Sequence, residues 1–163
     1  MAKALKAIDE FDKKILEIIQ MDNHLPTRDI SERVNLSLPA VAKRLQRLKA
    51  SGYITHNKSI LSPDLLGINN TIIVNVSVEN EAVEELDEIR DRFLKCPQIQ
   101  HCFYVTGDID FVLILAVKDM QEYERITRQL FFEGGNVQRF RTYVAMDRVK
   151  SSQDLYLSNI ETN

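Results

Sequence analysis

The segment Thr27–Ile54 constrains the fold most, because its starts and stops leave room only for two short helices set at a tight turn. Thr27 is placed to cap the first helix by accepting a backbone N–H. Ile30 and Val34, four residues apart, give that helix one apolar face. Asn35 tolerates the left-handed conformation such a turn needs. Ser37 offers a second N-cap, and Pro39 fits only the first turn of the helix it opens. Val41, Leu45 and Leu48 form the buried stripe of this second helix, and Gly52 closes it.

Lys43, Arg44 and Arg47 fall on other faces of the second helix. A helix-turn-helix that carries cations there places its second helix in the major groove of duplex DNA, which is wide enough to admit it. The competing reading is a helical hairpin with a solvated basic face. Charge placement bears on the choice. The chain of 163 residues has a net charge of −3, so it is no general polyanion binder. Residues 1–58 nevertheless hold eleven Lys+Arg against seven Asp+Glu, while residues 59–163 hold ten against seventeen. A basic module for nucleic acid and an acidic module with another task fit that asymmetry.

Asp9 caps a preceding helix that runs to about Met21, with Phe11, Ile15, Ile18 and Ile19 as its apolar stripe. Three helices then close a small core. Tyr53-Ile54-Thr55 and Ser59-Ile60-Leu61 read as the two short strands of a wing, and Ser62-Pro63 with Gly67 marks a linker. Beyond it the period changes to two. Thr71–Glu79 alternates, with Ile72, Val74, Val76 and Val78 on one face. Asn80 caps a helix built on Val83, Leu86, Ile89 and Phe93, and Pro97 ends that segment. Strands follow over Ile99–Thr106 and Ile109–Val117. Asp119 and Glu122 open a helix as a capping box, lined by Met120, Tyr123, Ile126 and Leu130. Gly134-Gly135 ends that helix, and Val137–Val149 is the last strand. The fold class is α+β: a winged helix-turn-helix at 1–61, a linker at 62–69, a βαββαβ ferredoxin-like domain at 70–150 and a tail at 151–163. Phe111–Val117 is apolar on both faces, and two helices can cover only one. The other should pack on a second subunit, so a homodimer is expected.

No catalytic constellation is present. His24, His56 and His101 are scattered, and His101 and Cys102 point to opposite strand faces, so no metal site is read. No phosphate-cradling glycine motif occurs, and no cofactor is expected. Cys96 and Cys102 suggest reduced thiols rather than a disulfide framework, and no stretch suits a signal peptide or a membrane span. A cytoplasmic, nucleoid-associated protein without membrane partners is the expectation. One turn could hold a small molecule. In Tyr104-Val105-Thr106-Gly107-Asp108-Ile109-Asp110, Phe103 and Val105 should face the helices, leaving Cys102, Tyr104 and Thr106 facing away. Gly107 permits close approach, and Asp108 and Asp110 offer acceptors for an ammonium group. On chemistry alone, a β-turn with water-facing aspartates is the simpler reading.

Several separated motifs resemble the Lrp/AsnC family of transcription regulators. Ile8–Leu16 is similar to that family's first helix; Leu36–Arg44, Arg47-Leu48 and Gly52-Tyr53-Ile54 to its recognition helix and the entry to its wing; Val105–Phe111 to its most recognisable C-terminal motif; and Arg141–Met146, with Val149-Lys150, to the last strand of leucine-responsive members. The resemblance covers nearly the whole chain. It implies a winged helix-turn-helix joined to a ligand-sensing βαββαβ domain, dimers that associate further, often into octamers, and an amino-acid effector held near Gly107-Asp108 between subunits. The candidate ligand residues are therefore Tyr104, Thr106, Gly107, Asp108 and Asp110, with Thr142 and Tyr143 of the last strand. Phosphate contacts are expected from Arg28, Lys43, Arg47 and Lys58, and base readout from Ser37, Pro39, Ala40, Lys43 and Arg44. The function expected is a sequence-specific transcription regulator rather than an enzyme. The rival readings are a low-specificity architectural protein that wraps DNA and a small-molecule enzyme on a ferredoxin-like domain.

Overall fold

A computed structural model describes residues 7–133, 135–158 and 160, so Gly134 of the expected helix stop lies outside the described residues. The chain divides into two compact units, one comprising residues 1–60 with 152–163 and the other residues 61–151.

In the helical unit, α1 (Glu10–Met21), α2 (Thr27–Val34) and α3 (Leu38–Ala50) enclose a core of Ile8, Ile15, Ile30, Val34, Val41 and Leu48, with Leu45, Ile18 and Ile19 packed against it. Asp9 caps α1 through a reciprocal box in which the Asp12 amide donates to Asp9 Oδ1 and the Asp9 amide donates to Asp12 Oδ2. Asn35 adopts the left-handed conformation between α2 and α3, at φ 55° and ψ 47°. Gly52, at φ +82°, follows α3 in a Schellman closure: its amide donates to the Lys49 carbonyl and that of Tyr53 to the Leu48 carbonyl. Three expectations fail here. Pro26, not Thr27, precedes the first helical residue of α2. Phe11 is 40% exposed and not part of the buried stripe. No strand forms in residues 53–61, whose polar stretch His56–Ser59 offers a two-strand ribbon no apolar face to bury. Residues 151–163, read as a tail, return in part to α1: Gln20 exchanges two hydrogen bonds with the Leu155 backbone, Lys13 Nζ donates to the Ser158 carbonyl, and Leu157 is buried.

The second unit is a four-stranded antiparallel sheet in the order β2-β3-β1-β4, from β1 (Asn70–Val78), β2 (Ile99–Tyr104), β3 (Phe111–Val117) and β4 (Val137–Val144). Helices α4 (Val83–Lys95) and α5 (Met120–Thr127) provide its apolar cover, and α5 runs on into a π-helical turn at Arg128–Phe132. This is the βαββαβ plan read from the alternating segments. Ile72, Val74 and Val76 of β1 join Phe111, Leu113 and Leu115 of β3 against Ile89 and Phe93 of α4. Phe93 meets Phe111 edge-on, with ring centroids 5.5 Å apart.

Several boundaries move. Asn80 Oδ1 accepts from the Ala82 amide two residues on, an Asx turn before the helix; Ala82 occupies the cap position and Val83 is exposed. Met120 is also exposed. The Asp119 carboxylate caps α5, whereas Glu122 reaches back to the Lys118 amide, one residue before the cap. The last strand ends at Val144 rather than Val149. Within the segment 62–69 read as a linker, residues 63–68 form a turn closed by the Ile68 amide on the Pro63 carbonyl. Among the described residues no helix is long and apolar enough to cross a membrane.

Candidate nucleic-acid interface and ligand-sensing turn

The outward face of α3 is set by what its inward face needs. Val41 and Leu48 are fully buried and Leu45 partly so, which turns Pro39, Ala42, Lys43 and Gln46 to solvent. Ser37 is exposed ahead of the helix, and Ala40 is half-buried. Lys43 makes no ion pair with a described residue, and neither does the exposed Lys58. Arg28 is exposed at the start of α2, where Glu32 one turn on shares its charge at 3.3 Å.

Arg44 and Arg47 do something else. Arg44 Nη1 donates to Asp9 Oδ2 at 2.7 Å and to Asp12 Oδ1 at 2.8 Å, and Arg47 Nη2 donates to Asp12 Oδ2. The Arg44 guanidinium also lies over the Phe11 ring, 5.5 Å from its centroid. Asp12 has no exposed side-chain surface. Burial opposes its charge, but the donors from Arg44, the Asp9 amide and Arg47 outweigh that penalty and hold the carboxyl below the ordinary aspartate range. Bonds to Asp12 and Asp9 correspondingly raise the Arg44 pKa, so it stays charged. The two arginines expected at base edges and phosphates therefore fasten α3 to α1.

In the sheet unit, Gly107 has φ +130°, a conformation L side chains rarely adopt, and open space lies where a Cβ would stand. Thr106, Gly107 and Asp108 are exposed. Asp110 Oδ2 accepts from the Val78 amide at 2.8 Å, the Asp110 amide donates to the Val76 carbonyl, and its carbonyl accepts from the Val105 amide. Asp110 thus clasps the turn to the end of β1.

The two faces of β2 are the reverse of those expected. Pairing of Cys102 with Leu113 and Tyr104 with Phe111 sets both on the helix side. Tyr104 packs on Phe111 with 5.1 Å between ring centroids, under the Arg90 guanidinium 4.8 Å from the Tyr104 centroid. Burial raises the Cys102 thiol pKa. His101 and Phe103 occupy the open face, their rings stacked at 5.9 Å. The candidate ligand residues are not one cluster within a chain. Thr142 and Tyr143 lie on β4, the opposite edge strand from β2. Thr142 shares a short hydrogen bond with the Tyr123 hydroxyl, whose pKa burial raises and that bond moderates. Tyr143 pairs with Ile73 on the open face. Two adjoining cavities that share Pro97, Gln98, Glu122 and Arg125, one of about 470 Å³ reaching the end of α4 and one of about 460 Å³ reaching Leu66 and Ile68, include no residue of the turn.

Residues 8–55 match the family described as winged helix-turn-helix DNA-binding, and residues 71–155 match the one described as Lrp/AsnC ligand binding domain. The chain belongs to the Lrp/AsnC family. An uncharacterised HTH-type transcriptional regulator of Sinorhizobium fredii is 39% identical over 145 residues, covering 89% of this chain and 86% of that protein. The leucine-responsive regulatory protein of Escherichia coli K12 is 30% identical over 152 residues, 93% of each chain. The crystal structure of a Neisseria meningitidis transcriptional regulator in complex with L-Met superposes with a TM-score of 0.87 at 25% identity, covering 93% of this chain and 97% of that one. An AsnC family regulator of Agrobacterium tumefaciens, at 24% identity and a TM-score of 0.88, shares the fold.

This Lrp/AsnC protein is thus a DNA-binding transcription regulator with a ligand-binding domain; its relatives are regulators, not enzymes. Its recognition helix owes its placement to residues that sequence reasoning passed over. Asp9 and Asp12 stand three apart on α1, and Arg44 and Arg47 three apart on α3. Two complementary pairs at one helical spacing signal a clamp between helices, and that signal was present in the sequence.

Proposed function

We propose that the chain is a sequence-specific transcription regulator whose operator affinity is modulated by an amino acid, more apolar than charged, bound at the Thr106–Asp108 turn where subunits meet. One observation carries this reading. The turn presents an exposed Thr106 hydroxyl, an unhindered backbone at Gly107 and an exposed Asp108 carboxylate, groups suited to both charged ends of an amino acid. In one chain two further candidates, Thr142 and Tyr143, stand on the far edge strand, so a pocket that uses them requires a second subunit. The name of the Escherichia coli relative and the L-Met complex of the Neisseria regulator support an amino-acid effector. Assembly as a dimer through the open sheet face, associating further toward octamers, belongs to the same proposal, as does residence in the cytoplasm with the nucleoid.

A thermal-shift series over the twenty amino acids, with the full-length protein, tests the effector directly, because a ligand of the native state raises apparent stability. Stabilisation by a subset at millimolar concentration is the expected result; none would leave a regulator without an amino-acid effector. The alternative, an architectural protein that wraps DNA with little specificity, predicts near-equal affinity for a selected operator and random duplex at fixed salt.

A further inference from the structure

We infer that Gln46 reads a base in the major groove, specifically an adenine of each half-site, and so sets operator sequence. The inference rests on the sequence-specific reading above. It begins from what the clamp removes. Arg44, the residue best suited by type to read guanine, is held by Asp9 and Asp12, and Arg47 by Asp12. What α3 can offer DNA is its exposed face. At about 100° per residue, Lys43 and Gln46 lie roughly 200° and 140° around the helix from Val41, whose side chain is fully buried. Both therefore point away from the core, one turn of helix apart.

The chemistry of that face narrows the choice. Pro39 and Ala42 carry no side-chain donor or acceptor, so they can only pack against a groove. Lys43 is a point charge, equally suited to a phosphate or a guanine edge. Gln46 holds an amide donor and an amide acceptor side by side, the pattern that matches adenine N7 and N6. It is exposed and makes no hydrogen bond to a described residue, so reading a base would cost it no intramolecular partner. The α1–α3 clamp strengthens the case, because bidentate readout needs a helix held at one angle.

Selection from random duplexes with the full-length protein, wild type beside Gln46→Ala and Gln46→Arg, tests this. Wild type should enrich a motif with one A·T pair per half-site that Gln46→Ala no longer selects. Gln46→Arg should replace that pair by G·C, since arginine pairs bidentately with guanine. Discrimination at that position should fall about tenfold or more in Gln46→Ala, with the other positions unchanged. An identical motif from all three proteins overturns the inference and leaves sequence specificity standing. Enrichment of no motif by wild type overturns both. Gln46 is exposed, so unchanged melting temperatures are expected for both variants, and equal affinity of Gln46→Ala and wild type for random duplex confirms intact folding.

Discussion

Asp12 shows how one buried residue can order two side chains of a neighbouring helix. Its carboxylate, buried, accepts from the Asp9 amide and both arginines, and it turns two cations of the recognition helix inward. Asp12→Asn removes the charge and leaves Arg44 and Arg47 short of a partner in a partly buried place. A loss of about 1–3 kcal/mol of stability is expected, read by chemical denaturation. Because the folded pKa of Asp12 lies below its unfolded value, this stabilisation is complete above about pH 5 and is lost as pH falls through the folded pKa. Wild type should therefore lose more stability than Asp12→Asn as pH falls below about 5; parallel pH profiles would contradict the clamp. Lys43, by contrast, is free of the clamp. Lys43→Ala should flatten the dependence of log affinity on log salt by about one unit, measured by titration against random duplex, while Arg44→Ala should act chiefly on stability.

Elements were legible where a local device had only one outcome. Asn35 and Gly52 bracket α3 because the left-handed conformation suits few residues, and the alternation Ile72-Val74-Val76 marks β1 without help from the rest of the chain. Faces were less legible than elements. Period two assigns Cys102 and Tyr104 to one side of β2, but only the register with Leu113 and Phe111 says which side carries the helices. Phe103 misled because a large apolar residue can line an open sheet face as well as a core. The start of α4 failed for a local reason: a side chain such as Asn80 closes a turn as readily as it caps a helix. The sensing turn offers a sharp test at this scale. Gly107 sits at φ +130° with no neighbour within 4 Å of a Cβ, so Gly107→Ala strains the backbone without filling a space. A cost of about 1–3 kcal/mol is expected, since only the conformation is penalised. If calorimetry with a stabilising amino acid shows unchanged affinity in Gly107→Val, which adds bulk as well, the effector site lies elsewhere.

At the scale of the whole molecule, the open face of the sheet decides what the chain can be alone. Phe103 and Tyr143 are each about half exposed there, beside the half-buried Val112, Ile114 and Ile73. No element of the sheet unit covers this face, whereas Leu113, one residue from Ile114, has no exposure on the helix side. The two neighbours therefore separate assembly from folding. Ile114→Asp places a charge on the open face, where water can solvate it in a monomer but a second sheet would have to bury it. It should retain the circular dichroism of wild type while its mass by light scattering falls below that of wild type at micromolar concentration. Leu113→Asp puts the same charge into the core and should not fold. If wild type is itself a monomer, or if Ile114→Asp assembles as wild type does, the second sheet face is not the subunit interface. A loss of assembly in Ile114→Asp should also abolish the stabilisation given by the amino acid, because the half-site left in one chain holds only the turn. By linkage, the ligand must then strengthen or weaken assembly by the same factor that assembly changes its own affinity, a reciprocity that sedimentation with and without the amino acid can check on the unmodified protein.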